Sequence, residues 1–261
     1  MHPFLQRLKA PLHISHRGGA ALAPENTLAA FRQAVETFHT DMLELDVRLT
    51  RDGVVVVAHD PTVDRCTDGR GPVNSYSFGE LIELDAGHRF TRDGATFPFR
   101  GQGVRIPTLA EVLTTFPEVR VNLEVKEAAA VEATIETLEK TAAIDRVCLG
   151  SEHDAIGERL HALAPGACHF FPKDALANLI LPLRLGDEPV VDPRYSVLDM
   201  PLEWEGERLF DARLRDAAAA RGLWINVWTI DDPAEMRRCI GEGVGGVMTD
   251  RPDLLQAVLE G

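Results

Sequence analysis

The chain has 261 residues, 45% apolar and 26% charged, with a formal net charge of −14 at pH 7. This is the composition of a globular protein with a sizeable core, which excludes a disordered chain. The acidic balance is spread without an acidic tail, so it argues against a nucleic-acid backbone or an anionic membrane as the main partner and leaves room for a local basic site.

The first 19 residues, MHPFLQRLKAPLHISHRGG, break their apolar run with Gln6, Arg7 and Lys9, too early for a signal segment. No later stretch approaches the roughly 20 apolar residues of a membrane span. Cys66, Cys148, Cys168 and Cys239 are far apart, form no CxxC pair, and read as free thiols of a reducing compartment. These features predict a cytoplasmic protein without stable membrane association.

PLHIS (11–15) predicts a first strand, closed by His16-Arg17, and ENTLAAFRQAVETF (25–38) a helix. Pro24-Glu25-Asn26-Thr27 reads as the helix start, with Asn26 or Thr27 as the cap. MLELDVRL (42–49) predicts a second strand. Its Glu44 and Asp46 share one face, because side chains alternate along a strand, while Leu43, Leu45, Val47 and Leu49 need the other face buried. Asp52-Gly53 follows between β-branched runs and predicts a hairpin. A two-residue loop pairs Arg51 with Val54 and Asp46 with His59, gathering Glu44, Asp46 and His59 on one face. A three-residue loop reverses that.

Residues 60–105 are rich in turn formers and predict an insertion over one mouth of the fold, a partial lid. Beyond residue 105, β-type runs alternate with helical ones: RVNLEVK, RVCLGS, ACHFF, YSVLDMPL, WINVWTI and GGVMT each precede a helical pattern. Eight candidate strands alternating with helices predict a parallel α/β sheet closed into a (β/α)8 TIM barrel, one domain over 1–261 with an insertion at about 60–105 at the C-terminal mouth. No GxGxxG follows the first strand, which weakens a dinucleotide-binding alternative.

In such a barrel the reactive face is built from strand ends. That rule selects His16 and Arg17, Glu44 and Asp46, then Glu124 and Lys126 in VNLEVK, Trp228-Thr229, and Thr249-Asp250. Glu44, Asp46 and Glu124 offer three hard oxygen donors with no thiolate, a set suited to one divalent cation, Mg2+ or Ca2+. Three carboxylates and a dication leave about −1; Arg17, Lys126 and one protonated histidine bring the sum to about +2, a match for a phosphodiester. His16 and His59 supply a general acid and a general base near neutral pH. Each residue also has a structural reading: Lys126 as a partner of Glu124 or Glu127, Trp228 as core, either histidine as packing. Asp60 and Arg65 are expected to make supporting contacts.

HRGGA, APENTLAAF, LELDVRLTRDGVVVVAHDPTVDRCTDG, IPTLAEVL, VNLEVK, NVWTIDD and GGVMTDRPDLL, in that order from His16 to Leu255, resemble the glycerophosphodiester phosphodiesterase family, especially its compact bacterial members. The resemblance implies a TIM barrel that hydrolyses a small soluble glycerophosphodiester to glycerol 3-phosphate and an alcohol with a divalent cation. It implies that Glu44, Asp46 and Glu124 hold the metal, that His16 and His59 are the acid and base pair, that Arg17 and Lys126 contact phosphate, and that Trp228 lies beside the glycerol. Departures are His39-Thr40-Asp41 where Gly-Ala-Asp is usual, Asp231 for Asn, and Cys66 for Thr. Residues 166–205, including Trp204, match weakly and are a candidate for leaving-group selectivity. Competing readings are a cyclising phospholipase-like activity on a lysophospholipid, a barrel that binds phosphoryl ligands without turnover, and an aldolase-like lyase with Lys126 as Schiff-base nucleophile. A homodimer is left open.

Overall fold

The computed structural model describes residues 1–6 and 8–261. A short helix α1 (Pro3–Gln6) precedes β1 (Leu12–Ser15), and α2 (Leu28–Arg32) runs on as a π turn (Gln33–Thr37) into β2 (Met42–Leu49). The hairpin partner is β3 (Val55–Val57), followed by α3 (Phe78–Leu81) and α4 (Leu109–Thr115). The repeating part comprises β4 (Arg120–Val125), α5 (Val131–Lys140), β5 (Val147–Gly150), α6 (Asp154–Leu163), β6 (Cys168–His169), α7 (Lys173–Leu185) and β7 (Val197–Pro201). A small hairpin, β8 (Glu203–Trp204) with β9 (Glu207–Arg208), then leads to α8 (Ala212–Ala220), β10 (Trp224–Trp228), α9 (Pro233–Gly241), β11 (Gly246–Thr249) and α10 (Pro252–Glu260).

The eight predicted strands pair in parallel in the order β6-β5-β4-β2-β1-β11-β10-β7. A single parallel bridge, Phe170 to Val197, brings β6 to β7 and completes the (β/α)8 barrel. Period-two alternation decides what each face carries. Leu43, Leu45 and Val47 are fully buried against the helices with Phe31, Leu109, Val131 and Leu138. The intervening positions point into the barrel. Its floor is apolar: Phe4 and Leu5 of α1 close it beneath Leu12, Ile14, Met42, Cys148, Cys168 and Met248. Further up, Asn122 Nδ2 donates to Asp199 Oδ2 at 2.6 Å, and Trp224 Nε1 donates to Asn226 Oδ1 at 2.9 Å. Burial pushes the Asp199 carboxyl up to about 6.

The hairpin register differs from the two-residue expectation. Val47 faces Val57, Leu49 faces Val55, and Thr50 N–H donates to Val54 O at 3.0 Å. The loop is therefore three residues, 51–53, with Gly53 in the left-handed region at φ 81°, and Asp46 faces Ala58 instead of His59. His59 reaches the mouth because the chain bends after β3, where Arg48 Nε holds its carbonyl at 2.9 Å.

Residues 60–105 cover a satellite cluster of Val56, Val63, Val73, Leu81, Ala86 and Ile106. They are tied to the loop after β1 by Arg65 on Glu25 and by Arg92 on the Leu22 carbonyl at 2.8 Å. One local boundary shifts, and one element is new. The helical pattern after YSVLDMPL begins only at Ala212, since Asp211 accepts from Leu214 N–H and caps it, and residues 203–208 form the β8–β9 hairpin. Among the described residues, no helix is long and apolar enough to cross a membrane.

Candidate active site

The loop after β1 sets the site's first wall. His16–Gly18 form a tight turn in which Arg17 has φ 50° and Gly18 φ 83°. A Cβ on Gly18 would lie 2.8 Å from Phe31 Cδ1, so only glycine lets this turn press against α2. The turn aims the Arg17 backbone N–H at Glu44 Oε2, 2.9 Å away, and its guanidinium at Glu25 Oε1 (3.1 Å) and Asp46 Oδ2 (3.4 Å).

Each predicted histidine is clamped through Nδ1 by a carboxylate. His16 Nδ1 lies 2.6 Å from Asp250 Oδ1 at the end of β11, and His59 Nδ1 lies 2.7 Å from Asp60 Oδ1. A carboxylate only accepts, so Nδ1 carries the proton and each Nε2 is left as the working nitrogen. His16 Nε2 stands 3.9 Å from Glu44 Oε2. Burial alone would lower the His16 pKa, but the Asp250 hydrogen bond and the charges of Glu44 and Asp250 outweigh it and raise it.

The three predicted metal ligands fall on neighbouring strands. Asp46 and Glu124 are register partners and Glu44 is one inward step below Asp46. Their oxygens are bridged by protein cations: Lys126 Nζ sits 2.8 Å from Glu124 Oε2 and 3.2 Å from Asp46 Oδ1. Burial opposes ionisation of Asp46, yet Lys126, Arg17, His59 and the Asn26 amide at 3.0 Å together hold its pKa below the usual carboxylate range. Glu44 goes the other way, raised by burial and by the Asp46 charge. Lys126, despite burial, is kept charged by Asp46 and Glu124, the wrong state for a Schiff-base nucleophile.

As arranged here, no three or more His, Cys, Asp or Glu side chains among the described residues are drawn together as a metal cage. The donor chemistry nonetheless fits a hard dication. Glu44, Asp46, Glu124, Glu25, Asp60 and Asp250 place six carboxyls around three fixed cations, Arg17, Lys126 and Arg65. Burial first, and then the neighbouring Asp46 charge, raise the Glu44 pKa, and a hard dication would offset both.

Trp228 stands 38% exposed at the end of β10, so it is not core. Three contributors take a part beyond the helix start read for Glu25 and Asn26 and the bare strand-end position read for Asp250. Thr27 caps α2, accepting from Ala30 N–H, which frees Asn26, at φ 57°, to reach Asp46. Glu25 joins Arg17 to Arg65, and Asp250 clamps His16. The strand-end rule had selected Asp250, and barrel closure, which sets β11 beside β1, gives it His16 as its partner. Asp60 and Arg65 do make the supporting contacts expected, with Arg65 Nε donating to Asp60 Oδ2 at 2.6 Å.

A barrel whose mouth carries paired histidine–carboxylate dyads, an acidic cluster and partly buried guanidinium and ammonium groups fits the class of phosphoryl-ester hydrolases. The family model of the glycerophosphoryl diester phosphodiesterase family matches residues 16–254, and the chain belongs to that enzyme family. It is 34% identical over 253 residues to the glycerophosphodiester phosphodiesterase of Caldanaerobacter subterraneus subsp. tengcongensis, covering 94% of this chain and 96% of that one. It is 31% identical over 277 residues to a lysophospholipase D from Mus musculus, covering 95% of this chain and 85% of the mouse protein. Its fold also resembles an Oleispira antarctica phosphodiesterase solved in complex with the product sn-glycerol-3-phosphate, with 25% identity, TM-score 0.76, and 95% and 96% of the two chains covered.

Proposed function

We propose that this protein, acting as one domain over its whole length in the cytoplasm, hydrolyses small soluble glycerophosphodiesters to sn-glycerol 3-phosphate and an alcohol, with His16 and His59 as the acid and base pair. The observation that carries this reading is the pair of clamped histidines, each fixed through Nδ1 by a carboxylate, with the acidic cluster between them. Glu44, Asp46 and Glu124 would hold one divalent cation, Mg2+ or Ca2+. When bound, such an ion would neutralise phosphoryl oxygens and favour the ionised form of Glu44, whose pKa burial and the Asp46 charge raise.

The chain's own residues supply the rest. Arg17 and Lys126, already partly buried and charged, move from carboxylate partners towards the phosphoryl oxygens when substrate arrives. One histidine accepts a proton at Nε2 from the attacking oxygen, and the other delivers one from Nε2 to the departing alkoxide. Asp250 and Asp60 keep the tautomers fixed and stabilise the imidazolium that forms. Trp228 offers an exposed ring against which the glycerol carbons lie. Residues 60–105 act as a partial lid, braced by Arg65 across Glu25 and Asp60. The test is glycerol 3-phosphate release by wild type, His16→Ala and His59→Ala. Each substitution is expected to cost about 10²–10⁴-fold in turnover, and turnover within about tenfold of wild type in both would remove the acid–base assignment.

A further inference from the structure

Trp204 keeps 52% of its surface in water at the barrel mouth, and no packing need accounts for it. It lies in β8, three residues past Pro201, and Pro201 is the register partner of Trp228. Leu202 N–H donates to the Trp228 carbonyl at 3.2 Å, so the hairpin rises directly beside the proposed glycerol wall. On the far side, Lys173 opens α7 and holds Nζ 5.2 Å from the Trp204 ring centroid. The Lys173 backbone N–H donates to Glu152 O at 3.0 Å, and Glu152 N–H donates to Glu124 Oε1 at 3.2 Å. Contacts therefore run from Glu124 through Glu152 and Lys173 to Trp204, and the hairpin that carries Trp204 is joined to Trp228 through the Leu202 backbone.

The hairpin bearing Trp204 is braced. Glu205 and Gly206 make its tight turn at φ 52° and 81°. Arg208 ties it to α9 through Glu235 and through Glu242 at 2.8 Å, and the Arg184 guanidinium holds the Arg208 carbonyl.

We propose that Trp204 and Lys173 form the wall that receives the leaving alcohol, and that Lys173 biases the enzyme towards uncharged or anionic polyol leaving groups and against cationic ones. This rests on the phosphodiesterase reading above. An open tryptophan face attracts a quaternary ammonium. Here an ammonium already occupies that seat, so choline or ethanolamine meets a like charge, whereas glycerol hydroxyls accept from Nζ while the carbons lie along the ring. At a solvent-exposed rim, two like charges about 5 Å apart cost about fourfold in an equilibrium or rate ratio.

The experiment measures kcat/KM at low salt for glycerophosphocholine and glycerophosphoglycerol with Mg2+ or Ca2+. Wild type is expected to favour glycerophosphoglycerol. Lys173→Gln should raise the choline-to-glycerol ratio about fourfold, and Lys173→Glu should raise it again by about the same factor, both effects shrinking in high salt. Trp204→Ala should raise KM for both diesters more than it lowers kcat. A ratio unmoved by both lysine variants, or KM values unmoved by Trp204→Ala, would overturn the subsite. No glycerol 3-phosphate from either diester with wild type would instead overturn the phosphodiesterase reading itself.

Discussion

At the scale of single residues, the chemistry depends on which nitrogen and which oxygen each side chain presents. The 2.6 Å contact from Asp250 to His16 Nδ1 both orients the ring and raises its pKa against the effect of burial. Asp250→Asn is therefore expected to lower kcat less than His16→Ala does, and to move the limb of the pH–rate profile that His16 controls to lower pH. The sign follows from the charge: removing the carboxylate leaves burial less opposed, so the imidazolium is easier to deprotonate. An unshifted profile would show that Asp250 only packs. The residues legible in sequence were those with a positional rule behind them. Glu44 and Asp46 share a face because strands alternate, and Glu124 with Lys126 repeats that spacing. The role of Asn26 was not legible, because its neighbour Thr27 is an equally good cap and only the left-handed φ of Asn26 separates the two roles.

At the scale of elements, two glycines with similar φ illustrate what the site demands of its supports. Gly18, at φ 83°, is wedged against Phe31 and Ala30, and its turn places Arg17. Gly53, at φ 81°, closes the β2–β3 loop, and a methyl group added there would meet nothing within 4 Å. Gly53→Ala should cost about 1 kcal/mol of stability, the left-handed penalty alone, with catalysis unchanged. Gly18→Ala adds a steric clash and should lower stability by about 2–3 kcal/mol or more and reduce kcat/KM through Arg17. Thermal melts paired with rate measurements check both. Equal effects from the two would mean that the β1 turn is not a special support. The same loop explains a partial misreading: Asp52-Gly53 signals a hairpin, but the signal does not fix loop length, and one extra loop residue shifts the register. His59 still reaches the site because the bend after β3, not strand pairing, carries it there. The β8–β9 hairpin was hidden because its two-residue strands carry no detectable period.

At the scale of the whole molecule, the barrel was legible because seven of eight β-type runs precede a helical pattern, the second being followed by the hairpin and insertion, and the parallel order of the strands confirms it. The fold also carries a stability switch away from the site. His13 in β1 is 3% exposed, its Nε2 has no hydrogen-bond partner among the described residues, and burial pushes its pKa down to about 4. Below about pH 6.5 the unfolded chain binds a proton there that the folded protein refuses. Stability is therefore full above that pH and falls as pH drops towards 4, by up to about 3 kcal/mol from this group. Urea unfolding across that window should show a shallower decline for His13→Gln than for wild type; parallel declines would place the acid sensitivity elsewhere.

The acidic cluster at the barrel mouth, in the reading proposed above, serves a divalent cation in phosphodiester hydrolysis. That role is tested most directly by glycerol 3-phosphate release from glycerophosphodiesters with Mg2+, Ca2+ or EDTA, for wild type and Glu44→Ala. The expected result is product that requires both the ion and Glu44. Release undiminished by EDTA and by Glu44→Ala, or no product with either ion from folded protein, would contradict it.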